Sequence, residues 1–200
     1  MLAHTDEVLG IVHRDIKPHN ILIFEHIPGE YVAKVSDLGY SVQLEHDDSF
    51  VRMPLSRPWN APEWHHRGYR FPEIVRMDLY SYGMVCLWLL FGQECLDKGI
   101  NFDIPAPSTH RDLEGLKNED RLSTLATDMA EHSAGLSEQE LQLLKDVFMG
   151  CLARDPIVRA YDIDELFHGH PRDSNRRTVS IHAAIGNQSD IDLSESFSVR

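Results

Sequence analysis

The stretch from residue 76 to residue 91 constrains the fold most, because it is apolar on nearly every side. It reads RMDLYSYGMVCLWLLF. A helix of this composition has to be buried over most of its surface, in a protein core or in a membrane. Its longest uninterrupted apolar part, near residues 84–91, is shorter than the roughly 20 residues that a membrane-spanning helix needs. We therefore expect a core helix and no membrane contact.

Composition limits the classes of partner. The chain has 200 residues, of which 42% are hydrophobic, enough for one domain with a sizeable core or for one domain and an appendage. Nineteen Lys and Arg against 32 Asp and Glu give a net charge of -13. A surface with this charge argues against a general binder of nucleic acid or of anionic membranes.

Cysteine and histidine usage points to a location and argues against a metal centre. The three cysteines lack metal-ligand spacing, and the N-terminal residues lack the plan of a secretory signal. We expect an intracellular, reducing compartment, the cytoplasm before the nucleus. The twelve histidines are scattered, and we interpret them as surface residues.

Local patterns predict a hairpin, two later helices and a tail. Residues 21–24 and 31–35 flank the turn signal Pro28-Gly29 and predict a β-hairpin. Ser137 and Glu140 form a capping-box pattern that opens a helix, which Asp155-Pro156 ends. A polar loop is expected over 43–60 and a short helix around 162–167. Residues 170–200, rich in Ser, Asn and Arg, predict a disordered tail.

The residues that carry chemistry lie in one octapeptide, His13-Arg14-Asp15-Ile16-Lys17-Pro18-His19-Asn20. It resembles the H-R-D-x-x-x-x-N catalytic loop of protein kinases. Four more motifs follow in that family's order: Asp37-Leu38-Gly39, with Leu for the Phe of D-F-G; Ala61-Pro62-Glu63 for A-P-E; DLYSYG at 78–83; and CLARDPIVR at 151–159. Five motifs in order are far more specific than any one. The chain thus resembles eukaryotic-type protein kinases over about residues 8–168.

The resemblance implies a mainly α-helical fold. Residues 1–169 would form a protein-kinase-like large, C-terminal lobe with a short β-hairpin near the active site, ahead of the tail at 170–200. The N-terminal β lobe is expected to be absent, because no glycine-rich loop or strand lysine precedes the catalytic loop. We therefore expect negligible affinity for MgATP in these 200 residues alone, and possible association through the surface that the small lobe would cover.

Phosphoryl transfer depends on positioned charges more than on covalent chemistry. An isolated aspartate in a turn is usually a backbone cap, but within this octapeptide Asp15 is expected to orient the acceptor hydroxyl and take its proton. Lys17 is expected to neutralise charge on the transferred phosphoryl group of ATP. Asn20 and Asp37 supply hard oxygen ligands of the kind that Mg²⁺ prefers. The resemblance places Leu22 beneath the adenine ring.

Arg14 and the segment after Asp37 are implied to regulate the site. Arg14 would pair with a phosphate on the activation segment, for which Ser41 and Ser49 are candidates. Ser56 would hydrogen-bond near Asp15.

Three further residues are implied to be architectural. Glu63 and Arg159 would form the buried ion pair that anchors the activation segment. Asp78 would accept hydrogen bonds from the backbone of the catalytic loop.

Two functions follow from the resemblance. The first is a protein kinase whose catalytic lobe transfers the ATP γ-phosphoryl group to Ser or Thr hydroxyls of a protein substrate, since Asp-Ile-Lys-Pro-His-Asn resembles the Ser/Thr class. The second is a truncated, catalytically inactive kinase-like module that binds partners. The retained Asp15, Lys17, Asn20 and Asp37 favour the first, and the missing glycine-rich loop favours the second.

Overall fold

A computed structural model describes residues 10–44, 50–102, 110–161 and 163–167. Helices hold far more of these residues than strands do. The strands are β1 (Gly10–Val12), β2 (Ile21–Ile27), β3 (Glu30–Val35), β4 (Val42–Leu44), β5 (Val51–Arg52) and β6 (Gly68–Tyr69). The helices are α1 (Phe71–Asp97), α2 (His110–Asn118), α3 (Leu122–His132), α4 (Glu138–Leu152) and α5 (Ile163–Leu166). The predicted tail at 170–200 and Ser49 lie outside the described residues.

The predicted core helix is longer than its apolar run suggested. Helix α1 has 27 residues, begins with Pro72 in its first turn and has non-helical backbone angles at Phe91. It is long and apolar enough to cross a membrane by length and composition, so our exclusion of a span by length was wrong. Its packing indicates a core helix, because 56% of its most apolar 18-residue window is buried in the structure.

Helix α1 forms the centre of the hydrophobic core. Its fully buried side chains include Ile74, Met77, Tyr80, Met84 and Leu87. Helix α4 packs along it, and its Phe148 ring lies 6.1 Å from that of Phe91. Helices α3 and α4 pack against each other beside this pair. The core therefore sits between α1, α3 and α4, and it leaves the N-terminal end of α1 facing the catalytic loop.

Helix α4 has the boundaries that the sequence predicted. The backbone N–H of Ser137 donates to Glu140 Oε2 at 2.8 Å, and the backbone N–H of Glu140 donates to Ser137 Oγ at 3.3 Å. This reciprocal pair satisfies two otherwise unpaired amide groups at the helix start. The helix ends at Leu152, before Asp155-Pro156, and the capping-box prediction is confirmed.

The strands form three antiparallel pairs: β1 with β4, β2 with β3, and β5 with β6. The predicted hairpin is confirmed and is longer than expected, with Ile21 opposite Val35 and Gly29 at φ +83° in its turn. The predicted loop over 43–60 is partly wrong, since it contains strand residues of β4 and β5. Their partners lie far away in sequence, so no local pattern marks them.

Gly83 marks the closest approach of α1 to α4. A Cβ atom at this position would lie 2.6 Å from Cys151 Cβ and 3.0 Å from Leu152 Cδ2. The first of these distances is too short for two carbon atoms that are not bonded to each other, so the two helices can pack this closely only with glycine here.

Replacing Gly83 with alanine should destabilise the protein. Overpacking costs about 1–3 kcal/mol, which exceeds or offsets the gain of about 1 kcal/mol from helix propensity. Urea unfolding measures the change. Gly92→Ala in the same helix is the matched control, because its nearest neighbour, Trp88 Cδ1, would lie at an ordinary 3.5 Å. Equal free energies of unfolding for the two variants would contradict this close approach.

Candidate active site

The carboxylate of Asp15 is the centre of the site. Asp15 is only 3% exposed. Its Oδ2 atom lies 2.8 Å from Lys17 Nζ and accepts a hydrogen bond from Asn20 Nδ2 at 3.0 Å. Its Oδ1 atom accepts a hydrogen bond from the hydroxyl of Ser56. Three of the predicted residues thus converge on one carboxylate.

These contacts set the charge of Asp15. Burial alone would raise the pKa of this carboxyl group. Hydrogen bonds from Lys17, Ser56 and Asn20, together with the charge of Lys17, outweigh burial and hold the pKa below its ordinary value. The group is therefore a carboxylate at neutral pH, able to accept a hydrogen bond from a substrate hydroxyl.

Asp78 of α1 holds the backbone of the loop that carries Asp15. Its carboxylate accepts the backbone N–H of His13 at 2.7 Å and that of Arg14 at 2.9 Å. Arg14 has a φ of +72°, a conformation that costs a non-glycine residue energy unless its surroundings fix it. Burial raises the pKa of Asp78 to about 6, against the opposing effect of the two N–H donors.

The hairpin brings Asn20 close to the residue that precedes Asp37. The backbone N–H of Ser36 donates to Asn20 O at 2.8 Å, and Asp37 follows with a left-handed φ of +59°. The Asn20 side-chain nitrogen is occupied by Asp15 O and Oδ2. The carboxylate of Asp37 is exposed and accepts the backbone N–H of Gly39 at 3.2 Å.

The His13 ring ties the catalytic loop to the end of the hairpin. Its Nε2 lies 2.9 Å from Ser36 O, and its Nδ1 lies 3.3 Å from the backbone N of Asp15. Both contacts fit the tautomer with the proton on Nε2, which donates to the carbonyl while Nδ1 accepts. Among the described residues, no group of three or more His, Cys, Asp and Glu is placed to hold a metal ion.

Leu22 lies on β2 at the edge of the site and is 44% exposed. Its cross-strand neighbour is Lys34. The structure therefore places this predicted adenine contact on an open face of the hairpin.

The segment from Asp37 to Glu63 is fastened at both ends. At its start, Arg14 Nη1 donates to Tyr40 O at 2.7 Å, and the Ser41 hydroxyl lies 3.5 Å from His13 O. At its end, Arg159 forms two parallel hydrogen bonds to Glu63, of 2.6 and 2.8 Å. A paired geometry of this kind is the strong form of an arginine–carboxylate contact.

Sequence reasoning missed one buried charge beside this segment. Lys117 of α2 is 1% exposed, and its ammonium group donates to the backbone carbonyls of Pro58 and Asn60. Lysine is almost always exposed, and neither spacing nor composition distinguishes this lysine from a surface one. No signal in the sequence could have identified it.

Comparison with known proteins identifies the family. The model of the protein kinase domain matches residues 4–168, and the chain therefore belongs to the protein kinase family. A G-type lectin S-receptor-like serine/threonine-protein kinase of Arabidopsis thaliana is 32% identical over 157 residues, which are 74% of this chain and 17% of that protein.

Two other relatives are also receptor-like protein kinases. A receptor-like serine/threonine-protein kinase of Arabidopsis thaliana is 30% identical over 161 residues, 78% of this chain and 42% of that protein. A leucine-rich repeat receptor-like protein kinase of the same organism is 25% identical over 190 residues, 94% of this chain and 17% of that protein. The chain thus spans less than half the length of these relatives.

Titration of Asp78 should make the free energy of unfolding depend on pH. Its folded pKa of about 6 lies above the ordinary 3.8, so its contribution is fully present below about pH 4 and is lost as pH rises through 6. The free energy of unfolding of the wild type, relative to that of Asp78→Asn, should fall by about 2 kcal/mol between pH 4 and pH 7. Urea unfolding across this range measures it. Parallel curves for the two proteins would show that Asp78 is not buried as described.

Proposed function

We propose that this chain is the catalytic part of a Ser/Thr protein kinase, which transfers the γ-phosphoryl group of ATP to a hydroxyl of a protein substrate. The observation that carries the proposal is the Asp15 carboxylate, buried and held by Lys17, Asn20 and Ser56. A hydroxyl substrate needs such a group to fix the direction of its oxygen and to take its proton.

The chemistry that this arrangement supports is a direct displacement. The acceptor oxygen forms a bond to the γ-phosphorus, the bond between that phosphorus and the bridging oxygen of ADP breaks, and Asp15 takes the hydroxyl proton. Lys17 Nζ, 2.8 Å from Asp15 Oδ2, puts a positive charge beside the group in transfer. The hydroxyl of Ser56 donates to Asp15 Oδ1 and holds the other carboxylate oxygen in place.

Asn20 and Asp37 offer oxygen atoms of the kind that a magnesium ion binds. The Asn20 nitrogen is committed to Asp15, which leaves its amide oxygen as the donor atom, and the Asp37 carboxylate is exposed. Two hard oxygen atoms suit Mg²⁺, which keeps several water molecules and binds phosphate oxygens as well. When bound, the ion neutralises negative charge on the ATP phosphates.

We also propose that residues 1–169 form the large lobe of the kinase and that a smaller nucleotide-covering lobe packs on its hairpin. The apolar side chains exposed on and after the hairpin support this: Leu22, Ile23, Phe24, Ile27, Tyr31, Val35, Leu38 and Tyr40. A two-stranded hairpin is marginal alone, and an apolar surface of this kind favours a covering partner.

The same exposed apolar side chains support the alternative of an inactive module that binds a partner protein there. The two functions differ in whether the Asp15 cluster acts on ATP. We place either function inside the cell, since the three cysteines are free thiols of the kind that a reducing compartment maintains.

Replacing Asp15 with asparagine should lower phosphoryl transfer by about two to four orders of magnitude, because the substrate hydroxyl loses its proton acceptor. The assay follows transfer from radiolabelled ATP to peptides that carry either Ser and Thr or only Tyr, with the longest natural form of the protein. We expect transfer to the Ser/Thr peptides. Asp128→Asn, an exposed aspartate on α3, is the control and should keep full activity. Equal activity of Asp15→Asn and wild type would refute the assignment.

Asp37→Asn tests the magnesium site. ATP should raise the melting temperature of the natural protein only when Mg²⁺ is present, because a ligand stabilises the state that binds it. The variant should lose this shift, while Asp128→Asn should retain it. A shift of the same size in Asp37→Asn would exclude Asp37 as a ligand. No shift in the wild type, together with no phosphoryl transfer, would favour the inactive module.

A further inference from the structure

Lys117 is a buried charge that takes no part in the proposed phosphoryl transfer. Its side chain is fully buried, and its ammonium group donates to Pro58 O, to Asn60 O at 3.0 Å and to Glu114 Oε1 at 3.4 Å. Two of its three donors thus serve main-chain carbonyls of the segment that ends at Glu63. The third serves a half-buried carboxylate of its own helix.

The two carbonyls belong to a tight turn next to the catalytic base. The backbone N–H groups of Trp59 and Asn60 both donate to Ser56 O, at 2.8 and 3.1 Å. The hydroxyl of Ser56 in turn donates to Asp15 Oδ1. A continuous series of hydrogen bonds therefore runs from the Lys117 ammonium group, through the turn at 56–60, to the Asp15 carboxylate.

A lysine in this place needs a reason, because burying an ammonium group is expensive and an apolar residue would fill the same space at lower cost. Burial lowers the pKa of Lys117 to about 8. The nearby carboxylates of Glu114 and Glu63 raise this pKa, and the positive charge of Arg57 lowers it further. Its ammonium group also lies 5.7 Å from the centre of the Tyr80 ring, which Arg159 faces at 4.7 Å. What the lysine supplies, and an apolar residue could not, is hydrogen bonds to the carbonyls of the turn.

We propose that Lys117 is a positioning residue for the acceptor side of the active site: it fixes the turn at 56–60 so that the Ser56 hydroxyl stays on Asp15 and the surface for the substrate chain keeps its shape. The inference rests on the proposed kinase function. Lys117 serves the protein substrate and not ATP, because the two carbonyls that it binds lie in the segment after Ser56 and its remaining contact is Glu114 of its own helix.

Hydrogen exchange tests the position of the turn without any assay of activity. In Lys117→Met, which keeps the volume and removes the donors, the amides of Trp59 and Asn60 should exchange at least about tenfold faster, since bonds from a charged donor to two carbonyls are lost. Amides of α3 and α4 should be unchanged. Lys145→Met is the matched control, because Lys145 is a partly exposed lysine that pairs with Glu131. Unchanged exchange at residues 56–60 in Lys117→Met would overturn the proposal.

Kinetics of the longest natural form of the protein separate a positioning role from general damage. Lys117→Met should lower kcat/KM for the protein acceptor by about tenfold or more while the KM for ATP stays within about twofold, and Lys117→Arg should recover part of the loss. Equal effects on both substrates would overturn the proposal. Absence of transfer in the wild type would instead remove the proposed kinase function, and the exchange experiment would still decide whether Lys117 holds the turn.

The wild-type protein supplies a test if the variants do not fold. Lys117 should be acetylated by acetic anhydride at least about tenfold more slowly than Lys145, because its amine is enclosed and hydrogen-bonded. Its acetylation should accelerate together with exchange at residues 56–60 as urea is added below the unfolding transition. Reaction of Lys117 at the rate of Lys145, or acceleration without any change at 56–60, would contradict the proposed contact.

Discussion

The hydrogen bonds from the catalytic-loop backbone to Asp78 connect the core of the protein to its chemistry. Asp78 lies in the most buried helix, and its carboxylate fixes the backbone of His13 and Arg14. Asp15 follows directly, so its position depends on a contact made by a core helix. The loop has no regular secondary structure at this point, and the hydrogen bonds to Asp78 hold the left-handed conformation of Arg14.

Two ion pairs lie in and beside the site. At the centre of the site, Lys17 pairs with Asp15. Farther out, Arg159 pairs with Glu63 and fastens the end of the following segment. Each pair joins one buried side chain, Asp15 or Arg159, to a partly exposed partner. The guanidinium group of Arg159 also donates to the carbonyls of Ala153 and Arg154, so the outer pair is tied to more of the backbone.

The sequence predicts those parts of the structure that depend on local pattern. The capping box at Ser137 and the hairpin turn at Gly29 are local, and both appear where expected. The contacts of Lys17 and Asn20 with Asp15 are also local, because one octapeptide contains all three residues. Pairing between distant segments left no such pattern: β4 and β5 lie within an apparent loop, and Lys117 resembles any surface lysine.

The length of α1 was misjudged for a related reason. Its apolar run ends near Phe91, where the backbone angles are non-helical, and a second helical stretch of mixed polarity continues to Asp97. Hydrophobicity marks the buried part of a helix, and the ends are set by capping and by contacts with other elements.

Asp78 and Gly83 lie in the same helix, five residues and about 7.5 Å apart along its axis. One holds the catalytic loop, and the other lets α4 approach closely. A substitution that pushes α1 away from α4 therefore also moves the point to which the loop is attached. In a genetic screen, variants of this core contact would be scored as catalytic mutants although they touch no reacting group, and only a measurement of stability would separate the two classes.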